Sequence, residues 1–477
     1  MSVDEAIDQA MRPLADLISR FIFYAVPVGG AELPLIVAWL IAGGLFFTIY
    51  LGFINVRGFR HALDLVRGRY TDPSQPGEVT PFQALATAVS GTVGIGNIAG
   101  VAVAISLGGP GATMWLIIAG LLGMSTKFAE CTLAVKFRRT HSDGSVSGGP
   151  MYYLQRGLAL RKLPRLGRGL GIFYAASMVV GCLGIGNMFQ SNQAAAILID
   201  VTGGSNSFFN DKAWILGLVM AVTVALVIVG GIKSIARTTS KLVPFMAVLY
   251  VVLALAILAF NAAELPRAVA QIWQGAFTAD GISGGLIGVM IIGFRRAVFS
   301  NEAGLGSAAI AHSAVRTDEP VTEGFVSLLE PFIDTVVICT LTALVIVTTV
   351  YDPAMASSGV SGIEMTTSAF ESVFSWSPVP LSIAAVLFAY STMISWGYYG
   401  LKAFTYLAGQ HWLADMGFKL FYCSFIVLGS SVQLGALVDL SDALVFVVAI
   451  PNVLGLYFLA PVVKREMLSY RERLERY

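Results

Sequence analysis

Charge is scarce in this chain. Only 12% of its 477 residues are Asp, Glu, Lys or Arg, about half the usual share of a soluble domain. A net charge of +1 gives no case for a nucleic-acid partner. Cysteine is equally thin: Cys131, Cys182, Cys339 and Cys423 lie scattered in apolar segments with neither pairing nor metal spacing. The histidines His61, His141, His312 and His411 stand far apart, which argues against a metal-dependent membrane enzyme. No G-x-x-x-x-G-K-[ST] run is present, so ATP is not expected as a partner. The stretch "MSVDEAIDQAMRPLADLISRF" starts acidic and lacks the basic-then-apolar order of a cleaved signal peptide.

What remains is apolar. Hydrophobic residues make up 56% of the chain, and a lipid span needs about 20 mainly apolar residues in a row. That criterion predicts eleven spans, near 33–55, 81–106, 111–137, 170–202, 213–232, 240–262, 281–314, 321–350, 379–408, 415–438 and 440–463. The fold class expected is an all-α polytopic membrane protein. "PRAVAQIWQGAF" and "EMTTSAFESVF" read as short helices outside the bilayer core, and Leu14, Leu17, Ile18, Phe21 and Ile22 recur at helical spacing before the first span.

The loops give a direction. Alternate loops share a side, and one set holds Arg57, Arg60, Arg67, Arg69, the block from Lys136 to Arg168, Lys233, Arg237, Lys241 and the tail from Lys464. The other set is nearly bare apart from Lys212 and Arg267, and carries Asp352, Glu364, Asp439 and Asp442. Basic loops stay inside, so the C-terminus is expected in the cytoplasm and the N-terminus outside. The organisation that follows is an outer N-terminal segment (1–32), an extra helix with a basic loop (33–80), a five-helix unit (81–262), an external connecting helix (263–280), a second five-helix unit (281–463) and a cytoplasmic tail (464–477).

Two octets break this pattern in the same way. "SGTVGIGN" (90–97) and "SNEAGLGS" (300–307) match at Ser90, Gly94 and Gly96 against Ser300, Gly304 and Gly306. Both lie mid-span, in the second and seventh spans. Units of five spans enter the membrane from opposite sides, and paired interruptions in inverted units point to a midplane binding site. Glycines that merely let helices pack closely are the plain alternative. The string Gly94–Ala99 also fits G-x-G-x-x-G/A, but no strand or aqueous βαβ unit surrounds it. Unwound backbone offers positive helix ends to an anion and bare carbonyls to a cation. A small zwitterion plus a monovalent ion fits both.

The strings "TVGIGNIAGVAVAISLGGPGA", "KFAECTLAVKFR", "SGGPMYYL", "GIGNMFQSNQ", "GGIKSIAR", "VFSNEAGLGSAAIAH" and "AIPNVLGL" resemble the alanine or glycine:cation symporter family from about residue 33 to 463. The resemblance implies a five-plus-five inverted-repeat amino-acid transporter (LeuT-like) core preceded by one extra helix. It implies uptake of alanine or glycine with Na⁺, or with H⁺ as the alternative coupling ion, across a bacterial inner membrane. Glutamine- and serine-preferring members keep the substrate open, as are the enantiomer and stoichiometry. A monomer is expected, with oligomers left open. The resemblance assigns Thr92, Gly94, Gly96, Asn97, Gln190, Phe299, Ser300, Asn301, Thr392 and Trp396 to the substrate pocket, with the Trp396 indole limiting solute size. Spacing adds an ion site: the Phe388 carbonyl and the Ser391 and Thr392 hydroxyls share one helix face, and the Ser90 and Val93 carbonyls would face them. Hydroxyls that bond back within their own helix are the plain alternative. Relatives often have threonine at Ile95 and glutamate at Leu401, two departures in this chain. A passive channel is the competing function; channels use rings of like groups, and two unlike octets in one chain favour an occluding pocket.

Lys127, Glu130, Arg295, Arg296, Glu302, Glu330 and Asp334 fall within predicted spans. Each costs about 2.5–3.5 kcal/mol at a helix centre unless paired or wet. Glu330 and Asp334, four residues apart, are expected either to relay protons or, as the plainer reading, to pair with Arg295, Arg296 or Lys127. Glu302 is expected to brace the second break.

Overall fold

The computed structural model describes residues 12–474 except 14–15, 29–30, 71, 73, 278–284, 353–361 and 433, and the side chains of 434–442 also lie outside the description, Asp439 and Asp442 among them. Helices dominate. Seven among the described residues are long and apolar enough to cross a membrane: Ala112–Lys136, Pro164–Val201, Gly231–Phe260, Pro320–Thr349, Pro378–Ala408, Trp412–Ser431 and Ala443–Leu474. Pro81–Thr92 and Ile95–Gly108 form an eighth when taken together, bent by 62° at the break. Leu35–Tyr50 and Ala213–Ile228 are shorter apolar helices. The two short segments expected to be helical are so, as Leu265–Phe277 and Ile363–Glu371.

Two small antiparallel ribbons correct the all-α expectation. Ala25–Val28 pairs with Ala31–Pro34, directly before Leu35–Tyr50, and Arg139–Thr140 pairs with Val146–Ser147. In the first, Pro34 hands the chain from strand to helix: its extended backbone leads straight into Leu35. Of the helical spacing expected before the first span, Leu17, Ile18, Phe21 and Ile22 lie on a helix over 16–22, and Leu14 is outside the described residues.

Apolar side chains face outward. On Gly231–Phe260, Phe245, Val248, Val252 and Leu255 form an exposed stripe at helical spacing. Ionisable groups face inward, with Lys127, Glu130, Glu302, His312, Glu323, Glu330 and Asp334 all buried. That inversion is what a lipid solvent demands of a helical protein.

Two central helices position everything else. Ala112–Lys136 packs against Leu35–Tyr50, Gly285–Asn301 and Pro320–Ser327. Pro378–Ala408 packs against Pro81–Thr92, Pro164–Leu183, Phe189–Val201 and Gly231–Phe260. Just past Lys136, the Arg138 guanidinium donates to the carbonyls of Ser313 (3.0 Å), Val315 (2.6 Å), Thr317 (2.6 Å) and Pro76 (2.9 Å). One side chain thus fastens two loops on the basic face.

Candidate functional site

Pro81–Thr92 starts with a capping box, in which Thr80 and Gln83 exchange side-chain and backbone bonds. It ends inside the protein. Val93 leaves helical geometry at ψ 90°, and Gly94 is fully extended. The freed Gly94 N–H donates to Asn97 Oδ1 at 2.9 Å, and the Ile95 N–H to Gln190 Oε1 at 3.3 Å. Gly94 is needed for proximity rather than torsion. A Cβ there would stand 2.7 Å from Thr392 Oγ1 and 3.3 Å from Gln190 Oε1. Gly96 likewise lies against the Phe299 ring.

The second break uses glycine differently. Gly285–Asn301 and Ser307–His312 are separated by a turn in which Gly304 and Gly306 have φ of 93° and 73°, a region that suits glycine. Glu302 shares it at φ 58° without being glycine. Its carboxylate accepts from the Ser307 hydroxyl and, at 2.9 Å, from Trp396 Nε1, so it braces the break as expected. The loosened carbonyls also have partners: Gly304 O accepts from Asn452 Nδ2 at 2.8 Å and Leu305 O from the Tyr174 hydroxyl at 2.9 Å. Unpaired backbone is thereby avoided where no water is at hand.

Asp334 joins the two breaks. Its Oδ1 accepts from Asn97 Nδ2 at 2.6 Å, while Oδ2 accepts from the Ser300 hydroxyl at 2.8 Å and the Thr335 hydroxyl at 2.7 Å. Asn97 belongs to the first break and Ser300 to the second. Asp334 therefore does not take the expected arginine or lysine partner. It sits in a π-helical stretch, Phe332–Cys339, whose wider turn is a common device at functional sites. Glu330 does pair with Lys127, at 2.8 Å. Arg295 and Arg296 lie over the rings of Phe23 and Phe299.

An oxygen cluster lies one turn below the first break. The Ser391 hydroxyl is 3.0 Å from Phe388 O and 3.3 Å from Ser90 O, and the Thr392 hydroxyl 3.0 and 3.1 Å from the same two carbonyls. Back-bonding within the helix and contact across to Ser90 thus occur together. Four uncharged oxygens from two helices are suited to a weakly charged hard cation, not to a divalent one that needs carboxylates. Val93 O is not among the carbonyls these hydroxyls reach. The other expected pocket residues converge on the break. Gln190 holds Ile95 and donates to Ile185 O at 3.1 Å; the Phe299 ring meets Phe189 edge-on at 5.6 Å. Trp396 also donates to Gly91 O at 3.3 Å. Thr92 bonds back to Val89 O, and Asn301 is tied to Thr335 and to the Ala303 N–H. Thr92, Asn97, Gln190, Ser300, Asn301, Thr392 and Trp396 are all buried, so the site is closed to both faces.

Three features escaped sequence reasoning. Asn452, reaching Gly304 O and Glu130, lay within the recognised string "AIPNVLGL" without an assigned role. Thr342 donates to Asn97 O at 2.9 Å, and Tyr250 meets Thr342 at 2.6 Å. The π-helical turn Gly184–Met188 makes room for Trp396, whose ring occupies the space a Gly186 side chain would need.

The sequence model described as "Sodium:alanine symporter family" matches residues 25–477. "Sodium/alanine symporter AgcS" of Methanococcus maripaludis is 39% identical over 443 residues, covering 92% of this chain and 94% of the relative. The Bacillus subtilis protein described as "Probable sodium/glutamine symporter GlnT" is 32% identical over 438 residues, covering 91% and 87%. Among solved structures, that of MhsT in complex with L-phenylalanine shares the fold, with a TM-score of 0.57 at 14% identity over 83% of this chain and all of that one.

Proposed function

Because the chain belongs to the sodium:alanine symporter family, a multi-pass membrane family of amino-acid:cation symporters, we propose that it takes up alanine or glycine with Na⁺ by alternating access. The topology in this reading is eleven spans, counting the two shorter helices and both broken ones, with two inverted five-helix units after the first. The basic loops face the cytoplasm and the N-terminus lies outside.

The observation that carries the reading is the position of Thr392. Its hydroxyl touches two carbonyls of the oxygen cluster and also packs directly against Gly94 at the unwound turn. Na⁺ held by the Ser90 and Phe388 carbonyls and the Ser391 and Thr392 hydroxyls would fix the end of Pro81–Thr92, and with it the unwound turn. An amino-acid carboxylate would then take the Gly94 and Ile95 N–H groups from Asn97 and Gln190, with the Phe299 and Trp396 rings around its side chain. Each ligand orders backbone that the other needs, which is a coupling free energy between neighbouring sites. Trp396, pressed onto Gly186, leaves little depth for a long side chain and favours alanine or glycine over glutamine.

Labelled alanine uptake into proteoliposomes under Na⁺, Li⁺ or K⁺ gradients, with unlabelled glycine, serine, glutamine and both alanine enantiomers as competitors, tests this. Na⁺-dependent counterflow blocked by alanine and glycine is expected. A Na⁺-independent conductance that does not saturate would overturn it in favour of a channel.

A further inference from the structure

His312 ends the short helix beyond the second break, and it is fully buried between two glutamates. Its Nδ1 lies 2.6 Å from Glu323 Oε2. Its Nε2 faces Glu330 Oε2 at 3.9 Å, and neither of those two atoms has a hydrogen-bond partner. With Glu323 ionised, its carboxylate only accepts, and Nδ1 carries the hydrogen shared between them. A neutral ring then turns the Nε2 lone pair toward another acceptor. Two buried acceptors facing each other repel, and both stay unsatisfied.

The surroundings sharpen the conflict. From Ala112–Lys136 come Lys127, Glu130 and Cys131, with Arg138 past its end; Glu302 comes from the break and Tyr399 from Pro378–Ala408. Glu130, Glu302 and Glu330, all buried, act on Lys127, while Glu323 faces His312 and Arg138. Burying unbalanced charge is expensive. A proton on Nε2 gives Glu330 Oε2 its missing donor and leaves neither atom unsatisfied.

We propose that His312, held between Glu323 and Glu330, is a proton-binding site on the closure of the basic face. The imidazolium links Ser307–His312 to Pro320–Ser327 through Glu323 and to Leu329–Pro331 through Glu330, whose other oxygen is bound to Lys127. Ser313, the next residue, is one of the groups that Arg138 holds. Opening toward the basic face separates these elements, so it is favoured when the proton leaves. Acid on that side therefore holds the transporter shut. The site is independent of which solute or coupling ion the central pocket takes.

The proton is read directly by nitrogen NMR of histidine-labelled full-length protein in liposomes. The His312 signal is assigned by its loss in His312→Gln or, if that variant does not fold, as the one that remains in a triple His61→Gln, His141→Gln, His411→Gln variant. An imidazolium at neutral pH that becomes neutral in Glu323→Gln is expected. A neutral ring throughout pH 5 to 8 overturns the proposal, whether or not the protein transports alanine. In uptake assays, lowering the pH on the basic side from 8 to 6 should slow transport about fivefold or more. His312→Gln should flatten that profile without changing half-saturating alanine. A folded His312→Gln protein with the wild-type profile would show that the proton, if bound, does not govern opening, and this too overturns the proposal.

Discussion

Removing the Asp334 carboxylate should disable the site without touching solute or ion directly. The carboxylate accepts from Asn97, Ser300 and Thr335, and hydrogen bonds to a charged group contribute about 1.5–3 kcal/mol each. Each buried neutral donor left without its acceptor costs about 1–3 kcal/mol; the donors are neighbours, so their losses do not add, and about 3–5 kcal/mol in all is expected for Asp334→Ala. The consequence spreads through Asn97. Its Nδ2 points at Asp334 because Oδ1 points at the Gly94 N–H. With the carboxylate gone, Nδ2 keeps only the Asp334 carbonyl at 3.2 Å and the Cys339 sulfur at 3.3 Å, so the amide's hold on the Gly94 N–H loosens. Asp334→Asn keeps the shape but offers one acceptor where two stood, and should cost about 1–3 kcal/mol. Thermal unfolding followed by tryptophan fluorescence should rank wild type above Asn above Ala. Alanine uptake, corrected for protein in the membrane, should fall at least tenfold in Asp334→Ala, since about 1.4 kcal/mol already corresponds to tenfold. A double-mutant cycle with Asn97→Ala should show coupling of about 0.5–3 kcal/mol. Asp334→Ala with wild-type melting and uptake within twofold would refute the bridging role.

Trp396→Ala should weaken alanine uptake and let leucine compete; if leucine still fails to compete and alanine kinetics are unchanged, the indole does not bound the pocket. Ser391→Ala and Thr392→Val should each raise half-saturating Na⁺ about tenfold or more, with Li⁺ discrimination altered; an unchanged Na⁺ curve would remove the oxygen cluster from the ion site. Gly94→Ala puts a methyl against Thr392 and Gln190, an overpacking of about 1–3 kcal/mol, and should abolish uptake while the protein still reaches the membrane. Glu302→Ala frees Trp396 and Ser307 together, and normal transport there would count against the brace.

Helix positions and both interruptions were legible because lipid enforces long apolar runs and glycine interrupts them visibly. The two small ribbons were not, since four-residue strands carry no periodic signal. The first break unwinds as expected, and Gly94 and Gly96 also stand where side chains from other helices press in, a closeness no sequence spacing announces. Gln190, Thr392 and Trp396 were found through family resemblance, and the structure gathers them. Asp334 was noticed but given the wrong kind of partner. Opposite charge is the natural guess for a membrane acid, while its actual donors are neutral and come from three separate helices. Such convergence leaves no spacing in a sequence. The π-helical turns are invisible for the same reason, because the extra residue is accommodated by the tertiary neighbour it makes room for.

The Arg138 clasp has a mechanical corollary. One planar fork spans the loop before the first interrupted helix and the loop after the second. Parting them cannot proceed bond by bond, since the guanidinium is rigid and each carbonyl it abandons must find water at once. The door on the basic face should therefore swing as a unit, with sparsely populated halfway positions, and a solute would meet it either shut or open.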